Sequence, residues 1–465
     1  MLRIVLFILL FISLAVAAAK SSLTGRFVHV TDFHLDPYYK PGTDVKHRCH
    51  RHEDDGKYGD DDDDDDSDSD EDDNDDEDDD DDNSLVPGPL GAVGTKCDSP
   101  PALIDLTFDF IKTKLQDVDF VIYTGDSARH DRDEDLPRTL DEVMSAQKTI
   151  VKYFEESYSN SSIKILPVIG NNDVHPHNSA SANDKQYGMI QDIWEPFGLN
   201  ITRDFAYGGY FMQDVIPGKI RTIHTNTMLF YNDNDGDTAK CDQSDSAGAL
   251  HLKWLHRVLE DSRSIGYRVY ILAHIPPHTK KDKSYYSDTC LEGYFQLLAD
   301  YKETIAAHFA GHYNRDILSV VYRDKDGNIE QAGAVTKKKR AISKADLERG
   351  DFIIPCFNSP SIIPAVNPAI RVFEYETDGD KYPIGTIRDW YQYYVNLSGT
   401  NNGRDGKVDF QLEYQASKIF NIDHFDADGM QTVFQGIRTD NHLVQMYDQH
   451  MSVSTKLDDD NDDDE

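Results

Sequence analysis

The sequence is short of positive charge, of cysteine and of long apolar runs, and each shortage narrows what the chain can be. Lysine and arginine number 47 against 85 aspartates and glutamates, a formal net charge of −38 over 465 residues. A nucleic-acid binder presents a basic face, so that class is disfavoured, and a polyanionic substrate must be met by local side-chain or bound cations. Five cysteines permit two bridges with one thiol left over. Connectivity does not follow from sequence; we pair Cys49 with Cys97 and Cys241 with Cys290, leaving Cys356 buried and free. The apolar fraction is low at 38%. No fixed-period repeat is present.

Much of the charge is local. Residues 60–82 carry about 20 acids and no base, and the tail from Asp458 about seven, so the remainder holds roughly −11, an ordinary acidic domain able to bury a core. We expect residues 54–83 to form a disordered insertion and 457–465 a disordered tail, because such runs repel themselves and cannot build a core. The run Lys337–Arg340 reads as a solvated loop.

Residues 1–19 read as a targeting segment: Arg3, then an apolar run of about 16 residues ending in small ones. A membrane span needs about 20, so a cleaved signal is preferred over a signal anchor, with an N-terminal membrane anchor as the alternative. Three N-x-S/T triplets, Asn160, Asn200 and Asn396, agree with export and glycosylation, and the cysteines would be oxidised there.

From Arg26 onward, short β-branched runs alternate with stretches of helical spacing at about 101–116, 137–156 and 248–265, which predicts an α/β fold with helices covering sheet faces. The chemistry lies where the strands end. Asp32 and His34 follow the first run, Asp126 the second, Asn171 the third; His274 ends ILAH and His312 lies in AGHYN. Loops at the carboxyl ends of strands converge in such folds, so these residues can share one site. Imidazole with carboxylate and amide oxygen suits two divalent ions such as Zn, Mn, Co, Mg or Fe, with Asp126 the natural bridge. Glycine precedes Asp126, Asn171 and His312, where it lets the backbone turn sharply and approach the ions closely.

The ordered series D-x-H, GD, GN-x-D, H and GH-x-N resembles the calcineurin-like metallophosphoesterases. More closely, the chain resembles the fungal endopolyphosphatases, relatives of acid sphingomyelinase, through CHR at Cys49, KYG at Lys57, CDSP at Cys97, GDSARHD, PRT at Pro137, GNNDVHPHN and VIPGK. The resemblance implies a four-layer sandwich of two mixed β-sheets flanked by helices, over a domain taken as residues 25–400 with a C-terminal extension at 401–456. It implies that Asp32, His34 and Asp126 hold one metal, and Asp126, Asn171, His274 and His312 the other. It implies a vacuolar lumen, or a vacuolar membrane facing the lumen, with secretion as the alternative.

Two positions depart from the wider pattern: Asn172 and Asn314 stand where many phosphoesterases have histidine. Expelling an alkoxide benefits from a protonating side chain, whereas expelling phosphate tolerates asparagine. The expected reaction is therefore hydrolysis of internal phosphoanhydride bonds of inorganic polyphosphate. An acid-sphingomyelinase-like phosphodiesterase is the alternative, although no Cys-rich module precedes the first strand. A non-enzymatic Ca²⁺-holding protein is a third reading. His130 is expected to offer a proton or hydrogen bond, and Arg129 to pair with a phosphate or with Asp131 or Asp133. Asp173 is expected to orient Asn171 or a histidine. His175, His177 and Asn314 are candidate substrate contacts.

Overall fold

A computed structural model describes residues 24–52, 85–159, 161–234, 240–278, 284–333 and 342–455. The targeting segment, the acidic insertion with KYG, Asn160, Lys337–Arg340 and the acidic tail lie outside the described residues.

Two mixed sheets form the body. The first has six strands in the order β13-β12-β11-β1-β2-β3, and the second seven in the order β4-β5-β6-β7-β10-β8-β9. In the first, β1 (Thr24–Val30), β2 (Phe120–Tyr123) and β3 (Lys164–Pro167) run parallel, while β11 (Ala369–Glu376), β12 (Ile387–Tyr394) and β13 (Gln411–Gln415) are antiparallel neighbours. In the second, β5 (Ile220–His224), β6 (Arg268–Leu272), β7 (Ile305–Ala310) and β10 (Asp351–Asn358) are parallel. β4 (Phe211–Ile216), β8 (Ile317–Arg323) and β9 (Ile329–Gly333) complete it in antiparallel fashion.

Alternation along the strands assigns the layers. On β1, Val28 and Val30 face α1 (Pro101–Lys114) and α2 (Leu140–Tyr158), while Phe27 faces the other sheet. Between the sheets Phe27 stacks on Phe120 at 4.8 Å and meets Phe309 edge-on at 5.4 Å. The second sheet's outer face packs under α5 (Ala247–Ser264) and α6 (Asp288–Asp300) through Val269, Ile271, Leu255 and Leu298. Helix, sheet, sheet and helix give the four layers.

The three helices expected from apolar spacing are α1, α2 and α5. α2 is capped by Thr139, whose hydroxyl accepts from the Glu142 N–H. β13, α9 (Ala427–Thr439) and α10 (Asn441–Met451) close one end of the inter-sheet core through Tyr414, Phe434 and Tyr447. Bridges join Cys49 to Cys97 and Cys241 to Cys290, and Cys356 is free and buried. Among the described residues no helix is long and apolar enough to cross a membrane. Asn200 is exposed, and Asn396 is half-buried with its side-chain oxygen accepting from the Gly399 N–H.

Candidate metal centre

The loops leaving β1, β2, β3, β6 and β7 meet at one end of the sandwich, and the six candidate ligands come with them. Asp126 is central. Its Oδ2 lies 3.4 Å from His34 Nε2 and 3.2 Å from His274 Nε2, and Asp32 Oδ1 lies 3.6 Å from His34 Nε2. Asn171 Oδ1 is 2.8 Å from His274 Nε2 and 3.1 Å from His312 Nδ1. All but His312 are buried.

The backbone carries strain to bring them in. Asp32, His34, Asp126 and His312 all adopt left-handed φ, at 53°, 42°, 62° and 73°. Side chains with a Cβ take this region rarely, and such residues cluster at functional sites. The glycines divide the turn and the close approach between them. Gly125 makes the turn, with φ 93°, and Gly170 gives the close approach: a Cβ there would fall 2.1 Å from Asp126 Oδ1.

The donor set fits divalent cations, and the reason is where the lone pairs point. His34 Nδ1–H donates to the Ala128 carbonyl at 3.1 Å and His274 Nδ1–H to the Thr124 carbonyl at 2.6 Å. Each ring is thereby fixed with Nε2 turned toward Asp126. The Asn171 amide nitrogen is occupied by His177 Nε2 at 3.0 Å and Asn178 Oδ1 at 3.1 Å, which turns its oxygen inward. Imidazole lone pairs thus face carboxylate and amide oxygens, an arrangement that repels unless positive charge lies between them. Protons feel the same field. Burial pushes the His274 pKa down, but Asp126 outweighs it and holds the group at about 9. Asp32, His34 and Asp126 could hold one ion and Asp126, Asn171, His274 and His312 a second.

An open cleft lies over this floor, lined by His34, Asp126, His130, Asn172, His312 and Asn314 among others. No protein-family model matches the chain. Over 335 residues it is 35% identical to an endopolyphosphatase of Cryptococcus neoformans, an alignment covering 70% of this chain and 48% of that protein. It is 31% identical, in an alignment of 476 positions, to an endopolyphosphatase of Neurospora crassa, covering 89% of this chain and 60% of that protein. To the human acid sphingomyelinase-like phosphodiesterase 3b it is 28% identical over 443 residues, covering 92% and 83%. The chain spans about half to three-fifths of the length of these two endopolyphosphatases.

The likeness to these proteins supports a metallophosphoesterase family.

Within this site several residues act differently from what their spacing suggests. Arg129 is neither a phosphate clamp nor a partner of Asp131 or Asp133. Its guanidinium is buried, donates through Nε to Glu142 Oε1 at 2.6 Å, and reaches the carbonyls of His130 and Leu136. Asp173 orients no ligand side chain. Its carboxylate accepts from the N–H groups of Asp126 (2.8 Å), Ser127 (2.9 Å) and Gly170 (2.9 Å), tying two ligand loops together. His175 is absent from the cleft lining; its N–H and carbonyl are paired with the Gln186 amide. His177 does line the cleft.

His130 stacks on His34, with ring centroids 4.1 Å apart and planes 9° apart. Asp98 holds it twice, accepting from its backbone N–H at 2.9 Å and from Nδ1–H at 2.7 Å. Burial, then the charges of Arg132 and His34, push its pKa down to about 4. Asn172 donates from its backbone N–H to Asp126 Oδ1 at 2.8 Å and from its amide to Oδ2 at 3.0 Å. Arg138 Nη1 donates to the Asn172 side-chain oxygen at 3.2 Å. Nothing in the spacing of Asp98 and Arg138 marks these roles, although CDSP and PRT, the motifs that contain them, carry the resemblance.

Proposed function

We propose that this chain is an endopolyphosphatase, hydrolysing internal phosphoanhydride bonds of inorganic polyphosphate. Position 172 carries the reading. Its amide oxygen accepts from Arg138 and its amide nitrogen donates to Asp126, so nothing there can protonate a departing alkoxide. A phosphoanhydride expels phosphate, a far weaker base that requires little protonation. The likeness to fungal proteins named endopolyphosphatase supports the same substrate.

Two divalent cations, when bound, would polarise the phosphoryl group and lower the pKa of the attacking water. The chain's own residues hold the geometry. Asp126 stands between His34 and His274, Asn171 presents its oxygen to His274 and His312, and Asp173 locks the loops beneath. His130, His177 and Asn314 line the cleft, where we assign them contacts with phosphoryl oxygens. We place the protein in the lumen of the secretory pathway, in a vacuole; the two disulfides support an oxidising compartment.

A chain-shortening assay on long-chain polyphosphate, with Mn²⁺ or Zn²⁺ restored after chelation, tests the activity. Intermediate-length chains should appear early. Orthophosphate alone would mean end-trimming, and faster turnover of a sphingomyelin or dinucleoside analogue would replace polyphosphate as the substrate. Sensitivity to endoglycosidase together with vacuolar fractionation tests the location.

A further inference from the structure

The loop 311–316, between β7 and β8, carries His312 and Asn314, and both take left-handed φ, at 73° and 58°. Residues with a Cβ persist in that region only when their surroundings hold them. One side of this loop is held by the metal-site floor: the Gly311 N–H donates to the His274 carbonyl, and the His312 N–H to the Asp32 carboxylate at 3.1 Å.

The other side is held from far along the chain. Asp316 is fully buried. Its carboxylate pairs with Arg371 on β11 and accepts from the Tyr414 hydroxyl on β13 at 2.5 Å, and its N–H donates to the Met451 carbonyl at the end of α10. Two residues further, the Leu318 N–H donates to the Tyr447 hydroxyl, also on α10. Arg371 is itself fixed by Gln392 Oε1 at 2.7 Å and lies over the Trp390 ring. Every polar contact just described beyond Arg371 and its two partners on β12 comes from residues 411–451.

We propose that Asp316 is a positioning residue for the metal position built from Asn171, His274 and His312, and that residues 411–451 complete that position by holding Asp316. The segment acts through the loop. Asp32, His34 and Asp126 sit on loops with their own supports in Asp173, Thr31 and Ala128, so the clamp reaches the other metal position only through the His312 N–H on Asp32, and that position should feel it less.

The proposal rests on the two-cation reading of the site and not on the substrate. Zn²⁺ binding to the full chain, measured against a chromophoric competitor, tests it in two backgrounds. His34→Ala leaves the His274–His312 position, and His312→Ala leaves the Asp32–His34 position. Tyr414→Phe removes one bond to Asp316 and should weaken Zn²⁺ about tenfold in the first background and less than about twofold in the second. Asp316→Asn should do the same more strongly; where it fails to fold, Tyr414→Phe decides. Equal effects in both backgrounds, or none in either, overturn the proposal and leave the two-cation reading standing. A wild-type chain that binds no Zn²⁺ overturns both.

Discussion

The guanidinium of Arg138 donates to the backbone carbonyl of Asn172 at 3.1 Å and to its side-chain oxygen at 3.2 Å, so the amide nitrogen is left facing Asp126. An asparagine amide without such a partner can turn over and present oxygen to the carboxylate. Arg138 also donates to the carbonyls of Arg129 and Val174, four acceptors in one planar fork. Arg138→Lys should therefore be far from conservative, because a single ammonium cannot span them. The expected outcome is a loss of about 1–3 kcal/mol in a urea melt, from buried oxygens left without donors. Turnover of polyphosphate should fall roughly tenfold, about 1.4 kcal/mol in the barrier. Wild-type turnover in the lysine variant would show that the amide's orientation is irrelevant.

Convergent lone pairs at Asp126, Asn171, His274 and His34 make a cation a stabilising ligand as well as a cofactor. Dialysis against a chelator should abolish phosphatase activity and lower the thermal midpoint, and Zn²⁺ or Mn²⁺ should restore both. At a hundredfold excess over Kd, binding adds about 2.7 kcal/mol. Asp126→Asn should recover neither on adding metal. A midpoint indifferent to metal in the wild-type chain would argue against ions at this floor.

How far the sequence reaches is visible in these residues. Each of the six ligands ends a strand that hydrophobic runs reveal, and the parallel order β1, β2, β3 and β6, β7 brings those ends together. Short buried strands are legible because both faces must be apolar. The supports are less so. Asp98, Glu142 and Arg138 act through hydrogen bonds across 13 to 34 residues of chain, which no periodicity marks. Arg129 shows the cost. Its place in a loop beside Asp126 suggested a phosphate clamp, and only the packing of α2 reveals that Glu142 has taken it. The strands β8 to β13 carry no chemical motif, so the clamp on Asp316 could not be read from spacing.

That pairing yields its own test. Arg129 is 1% exposed in its side chain and Glu142 15%, so removing the cation strands a largely buried carboxylate. Arg129→Met should cost about 3 kcal/mol of folding stability. The KM for polyphosphate should change by less than about twofold, since the guanidinium does not line the cleft. A large rise in KM with unchanged stability would restore the phosphate-contact role.

A final prediction concerns pH and lies beside the site. His50 stands between two buried carboxylates, with Nε2 2.9 Å from Asp36 Oδ2 and Nδ1 2.6 Å from Asp133 Oδ2. Only the imidazolium has an N–H for each. Burial pushes its pKa down, but the bonds to and charges of Asp36 and Asp133 raise it above the ordinary value. A raised folded-state pKa means that the stabilisation is present in full below the unfolded value, about 6.5, and is lost as pH rises through the folded one. Asp133 works in the opposite direction. Against burial, Arg51 and His50 hold it at about 2, so its contribution is present above the ordinary carboxylate range and lost as pH falls through about 2. Between these limits the wild-type chain should hold its share of stability and then lose it as the medium turns alkaline. Denaturant midpoints from about pH 5 to 9 should fall more steeply in the wild type than in His50→Gln, which cannot titrate. Because His34 and His274 titrate in both proteins, the difference between the two curves reports His50 together with Asp36, whose carboxyl pKa is raised by burial and lowered by His50. Parallel curves would mean that the proton on this ring is not what holds Asp36 and Asp133 together.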